Sequence, residues 1–259
     1  MEERKIVVPG ETIIQGEEFL PGDGTRREDK DVVANRYGLA EVSDKLVRVI
    51  PLSGVYTPRR GNVIIGKIVN MNYRGWVVDF GTHNNGFLNV AEYPRFINKG
   101  ELKEYLTFGD VICAKVFSAD DTSVDLSVKL RGFGRLNGGQ LITINPNKVP
   151  RVIGKEGSMV HLIKAATGCE ITVGQNGIIW VKSSKVEDEL NAKKIINFIS
   201  ENSFVSGLTE KVEEYIKKDL KLEIKDIPKP EPFVEPEFRE ERNFRDDRGF
   251  RGGFRGDRQ

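Results

Sequence analysis

Cysteine and histidine are almost missing, with two of each in 259 residues. Cys113 and Cys169 lie far apart, and neither has a second ligand at metal-binding spacing. That scarcity excludes a disulfide scaffold and a zinc module, argues against most metal-hydrolase designs, and makes a reducing cytoplasm the expected location. No cofactor is expected. Long apolar runs are lacking too. The longest charge-free stretch runs from Leu136 to Asn147, short of the roughly 18 residues that a membrane helix needs. Near the N-terminus only Ile6-Val7-Val8 precede Pro9-Gly10, which is too little for a secretory leader. Nor does one sign of charge dominate, because 40 Lys+Arg face 39 Asp+Glu. Only residues 135–205 are basic, with 9 cationic against 6 acidic side chains. Any nucleic-acid contact must therefore come from local sites or from several copies acting together. A P-loop is absent, as is any nucleophile with a matched base, so no enzyme is expected.

What is present is a polar but globular composition, 38% hydrophobic and 31% charged, at a length that suggests two or three domains. Several small cores are expected rather than one large one. Residues 1–60 read as an all-β module, with apolar stretches at Lys5–Val8, Glu11–Ile14, Asp31–Ala34 and Leu46–Leu52. Turn residues at Pro9-Gly10, Pro21-Gly22-Asp23-Gly24 and Asn35-Arg36-Tyr37-Gly38 separate them. Residues 61–130 carry five β-rich segments: Val63–Val69, Tyr73–Phe80, Gly86–Val90, Val111–Phe117 and Val124–Val128. A short helical insert falls between the third and fourth, the layout of a five-stranded OB barrel. After a Gly-rich connector, residues 131–205 switch to mixed α/β order. A strand (Gln140–Ile144) and a short helix ending at Val152-Ile153 come first. The Gly154-Lys155-Glu156-Gly157 loop and a helix over Ser158–Thr167 follow. A hairpin turning at Asn176-Gly177 then leads to a helix over Val186–Ile199 with an apolar stripe at Val186, Leu190, Ile195 and Ile199.

Residues 206–225 predict an amphipathic helix with Val212, Ile216 and Leu220 on one face. Beyond it, Pro228, Pro230, Pro232 and Pro236 precede an Arg/Phe/Gly/Asp tail that carries seven arginines. The composition of residues 226–259 predicts disorder. The fold class is thus multidomain, mainly β plus α/β, with a C-terminal helix and a disordered tail.

The most informative stretch is residues 152–171, from Val152-Ile153-Gly154-Lys155-Glu156-Gly157 through Thr167-Gly168 to Ile171. It resembles the core of a KH domain. Two glycines let backbone approach a phosphodiester, and the helix that follows aims its N-terminal N–H groups at phosphate. The resemblance implies a groove that clamps about four nucleotides of single-stranded RNA. Gly154, Lys155, Glu156, Gly157 and the flanking Arg151 and Ser158 are the candidate contacts, with Glu156 an acidic departure. Alone, a Gly-x-x-Gly pattern is more often a plain tight turn. The register of the surrounding positions favours the KH reading.

Residues 63–130 resemble the S-one-type RNA-binding barrel through Gly66-Lys67-Ile68-Val69, Gly75, Val78-Asp79-Phe80-Gly81, Gly86-Phe87-Leu88 and Glu92. That family stacks bases on two aromatics and a histidine. Here Arg74 and Val77 fall at the aromatic positions and Asn89 at the histidine, so the platform is degraded. Tyr73 and Trp76 lie beside it, on alternate faces to Arg74 and Val77, and are equally suited to packing against a neighbouring domain. Arg74, His83 and Tyr73 are the candidate RNA contacts on this barrel. Asp79-Phe80-Gly81 reads as a barrel turn rather than a kinase motif, and Asp120, Asp121 and Asp125 as a solvated hairpin turn rather than a metal pair.

The order of β module, S-one-type barrel and KH domain resembles the RNA-binding cap subunit of the archaeal exosome. The likeness extends through Val7-Val8-Pro9-Gly10-Glu11, Gly22-Asp23-Gly24-Thr25 and Arg60-Gly61-Asn62-Val63. It implies three copies docked by their N-terminal modules on a ring of RNase PH-type subunits. These copies would capture RNA 3′ ends and thread them to phosphorolytic sites, with no catalysis of their own. A Nus-type transcription elongation factor also places such a barrel ahead of KH modules, but normally carries two of them.

Overall fold

The structure, a computed structural model, describes residues 5–98, 101–120, 122–203 and 207–220. All of these belong to one unit spanning residues 1–227. The expected tail, and the end of the C-terminal helix, lie outside the described residues.

The N-terminal module is built from β1 (Lys5–Val7), β2 (Thr12–Gln15), β3 (Leu20–Pro21), β4 (Thr25–Glu28), β5 (Asp31–Ala34), β6 (Gly38–Ser43) and β7 (Leu46–Pro51). Sequence reading located β1, β2, β5 and β7 but missed β3, β4 and β6, which are short or polar and carry little apolar alternation. The strands form two small sheets, ordered β1-β6-β7-β3 and β2-β5-β4. Asp29 and Asp44 adopt positive φ in the two-residue connections of β4 to β5 and β6 to β7, a conformation that tight hairpins require and Asp tolerates. The core between the sheets is small, with Val7, Ala34, Ala40 and Val49 packed by Ile13.

The barrel comprises β8 (Val63–Asn72), β9 (Gly75–Asp79), β10 (Gly86–Asn89), β11 (Val111–Ala119) and β12 (Val124–Ser127). β12 pairs with both β10 and β11, which closes the ring of five strands. Among the described residues the insert between β10 and β11 holds a 3-10 turn over Val90–Glu92 and a short helix, α1 (Leu102–Tyr105), less helix than expected. Inward side chains Ile64, Ile68, Trp76, Val78, Phe80, Leu88, Ile112 and Leu126 fill the interior. Trp76 is therefore barrel core, and its Nε1–H donates to the Leu106 carbonyl at 3.1 Å. Gly75 is required where β9 crosses β10, because a Cβ there would run into the Leu88 carbonyl oxygen. The Gly-rich connector contains an unexpected strand, β13 (Gly134–Leu136), which pairs with β11 as a sixth strand. An Arg135–Asp110 ion pair at 2.9 Å holds it there.

The third domain follows as β14 (Gln140–Thr143), α2 (Val149–Ile153), α3 (Ser158–Thr167), β15 (Glu170–Val173), β16 (Ile178–Lys182), α4 (Val186–Glu201) and α5 (Leu208–Lys218). Its antiparallel sheet is ordered β14-β16-β15, and the helices cover one face. Met159, Ile163 and Ala166 of α3 pack on Ile195, Ile196 and Ile199 of α4 and on Val212 and Ile216 of α5. The expected α4 stripe needs correction at its first turn. Val186 is 66% and Leu190 44% exposed, while Glu189 and Ala192 turn inward. Glu189 is satisfied by the Ser183 N–H at 2.9 Å.

Barrel and third domain are joined by a buried polar side chain as well as by apolar contact. Asn176, in the β15–β16 turn, is buried against the barrel wall. Its Nδ2 donates to the carbonyls of Ile65 and Phe80 at 2.8 Å each, and its Oδ1 accepts from the Ile65 N–H at 3.2 Å. Around this point Ile65, Cys113 and Trp180 form a shared apolar cluster.

Candidate nucleic-acid interface

The Gly154–Gly157 loop is shaped by glycine geometry at both ends. Gly154 closes α2 with φ +75° and donates its N–H to the Pro150 carbonyl at 2.9 Å. A side chain there would press on the Met159 N–H and Cβ. Gly157 adopts a left-handed conformation as the residue before α3. It brings no capping side chain to this ten-residue helix, whose first N–H, that of Ser158, bonds back to the Lys155 carbonyl. Glu156, at φ +53°, bends the loop outward and is exposed. Glu156 does not line the groove beside the loop. That groove, of about 800 Å³, is lined by Arg151, Gly154, Lys155 and Ser158 together with Tyr37 and Met159. Four of the six candidates from this motif thus share one concave surface, and Glu156 and Gly157 do not line it.

The barrel candidates sit elsewhere. Tyr73 and Arg74 occupy the β8–β9 turn, which Asn72 fixes by accepting from the Arg74 and Gly75 N–H groups at 2.9 and 3.1 Å. Tyr73 is 71% exposed, and the Arg74 guanidinium lies 5.3 Å from its ring centre. Together they make a flat cationic and aromatic tip able to take a phosphate and a base. His83 is exposed in the β9–β10 loop. The groove at the Gly154 loop includes none of these three residues.

The degraded platform has a structural cause at Asn89. Its side chain accepts from the Ala91 N–H at 2.9 Å and starts the 3-10 turn, so it caps rather than stacks. Sequence reasoning missed Phe87, which is half-buried on the outer face of β10 directly opposite Val77. The alternation of Gly86, Phe87 and Leu88 was the signal that places it outward.

The remaining reactive groups are packing. Cys113 is buried, and burial pushes its thiol up to about 12. Burial also raises Cys169. Asp120 donates its N–H to the Ser123 carbonyl at 2.9 Å within a hairpin turn, while Asp121 lies outside the described residues. Among the described residues no group of three His, Cys, Asp or Glu is placed to hold a metal. No described helix is long and apolar enough to cross a membrane.

Comparison with known proteins agrees with this construction. Residues 139–187 match the family model for the KH domain. A protein of Methanothermus fervidus named exosome complex component Rrp4 is 38% identical over 223 residues, covering 85% of this chain and 98% of that protein. Its namesake in Thermococcus kodakarensis is 40% identical over 224 residues, covering 84% and 87%. That of Pyrococcus furiosus is 36% identical over 248 residues, covering 93% and 94%. A crystal structure provisionally described as an exosome complex RNA-binding protein superposes with a TM-score of 0.58 at 32% identity. It covers 65% of this chain and 98% of its own. The likeness runs across all three domains, and the chain belongs to the Rrp4 family of exosome complex components.

Proposed function

We propose that this chain is the RNA-capturing subunit of a cytoplasmic exosome. It binds single-stranded RNA near the 3′ end, passes it to a ring of RNase PH-type subunits, and contributes no catalytic residue of its own. The observation that carries this reading is the Gly154–Gly157 loop: two positive-φ glycines, the N-terminus of α3 with no capping side chain, and Arg151 and Lys155 on one groove. That arrangement offers backbone N–H groups and cations to a phosphodiester and offers nothing to a reacting bond. The names borne by the relatives support assembly into an exosome.

Three copies on one ring fit the near-neutral charge, because weak sites around a common pore gain affinity by acting together. The N-terminal module supplies a docking surface of the right kind. Leu20 and Leu46 pair across β3 and β7 and are both exposed.

The test is filter binding of single-stranded RNA to the Lys155→Asp, Glu156→Asp double variant. Reversing the charge at Lys155, next to the carboxylate already present at position 156, should weaken affinity at least about tenfold and leave ring association intact. Unchanged affinity contradicts the reading.

A further inference from the structure

A second groove, of about 860 Å³, lies between the N-terminal module, the segment of residues 51–62 and α2. Arg36 and Tyr37 line it from the first domain, Arg59 and Asn62 from the segment, and Pro150 and Gly154 from the third domain. It shares Tyr37, Pro150 and Gly154 with the groove beside the Gly154–Gly157 loop, so the two are continuous. Their charge is out of keeping with the chain. Over the whole sequence acidic and basic side chains are nearly equal in number. Along this joined path stand Arg36, Arg59, Arg151 and Lys155, and no described Asp or Glu lines it. Arg36 and Arg59 are exposed, and among the described residues neither guanidinium has an ion-pair partner. Tyr37 stands at the junction, 43% exposed.

We infer that single-stranded RNA leaving the Gly154–Gly157 loop continues into this interdomain groove. Arg36 and Arg59 hold its phosphates there, and Tyr37 stacks a base at the crossing. The inference rests on the RNA-binding reading above and extends it with a path and three residues. A carboxylate-free, doubly cationic cleft with one accessible ring suits a polyanion carrying flat bases. Its volume lies within the roughly 300–1,000 Å³ usual for ligand sites. A protein partner would instead have to bring its own carboxylates to both arginines.

The experiment is fluorescence anisotropy of the full chain with unstructured oligoribonucleotides of increasing length, across a salt series. It compares wild type, Arg36→Ala with Arg59→Ala, Tyr37→Ala, and the Lys155→Asp, Glu156→Asp variant. Wild type should gain affinity as the oligonucleotide outgrows the about four residues that a KH groove holds. The arginine variant should lose that gain, bind the longer RNA about tenfold more weakly, and show a salt slope lower by about 0.7 per phosphate contact removed. Tyr37→Ala should weaken binding with the slope unchanged. If only the loop variant weakens binding, the groove proposal falls and the RNA-binding reading stands. If no variant changes binding, both fall. If the arginine variant binds RNA normally but no longer co-elutes with the ring subunits, the groove is a protein-docking surface and the proposal is overturned.

Discussion

Asn176 shows what one residue can decide. Its amide makes three hydrogen bonds with Ile65 and Phe80, reaching from the tip of one domain into the wall of another. Asn176→Ala leaves buried backbone donors and acceptors unpaired, at about 3 kcal/mol. The expected result is a lower melting temperature and earlier proteolytic cleavage between the barrel and the third domain. An unchanged melt would contradict the junction's role. Cys113 lies in the same contact and gives a pH signature. An ordinary thiol titrates near 9, whereas burial holds this one up to about 12. The folded state therefore keeps the proton that the unfolded chain loses. This contribution is complete below pH 9 and disappears as the pH rises toward 12. Urea midpoints of wild type should fall faster over that window than those of Cys113→Ala, and parallel curves would refute it.

Among the elements, β8 explains both what sequence could reveal and what it could not. Val63-Ile64-Ile65 does not alternate, because Ile64 faces the barrel interior and Ile65 the third domain, and both are fully buried. A strand with two dry faces reads only as apolar, so the barrel was legible and the interdomain contact was not. The strand β13 was hidden for another reason: one of its three residues is Gly134, Gly132 and Gly138 lie close on either side, and the three follow no pattern. On α4 the stripe was right at Ile195 and Ile199 but wrong at the start of the helix, because Glu189 is buried with a backbone partner while Val186 and Leu190 are exposed. The Gly154 loop, by contrast, was fully legible, since positive φ at both ends demands glycine. At this scale Gly75→Ala should be severe. The added methyl has to displace the Leu88 carbonyl, and the expected loss is about 3 kcal/mol in chemical denaturation, with the barrel failing first. A near-normal midpoint would contradict the close packing of β9 on β10.

The molecule as a whole carries a formal net charge of only +1, yet its cations are not spread evenly. Arg151 and Lys155 share one groove, Arg36 and Arg59 the next, and Arg74 stands on the barrel tip beside Tyr73. On the proposed reading RNA would be held along these places and weakly elsewhere, which suits a guide that must release what it passes on. Docking should be separable from that work. Leu20→Glu with Leu46→Glu should release the chain from the ring while RNA affinity stays within about twofold, because both leucines are exposed and far in sequence from the loop. Co-elution of this variant with the ring would contradict the docking surface. The central claim, that the chain works as the RNA-capturing part of an exosome, is tested most directly by native mass spectrometry of the particle purified gently from its source cells. The account predicts three copies on a six-membered ring of RNase PH-type chains. A lone monomer, or a complex with RNA polymerase, would contradict it.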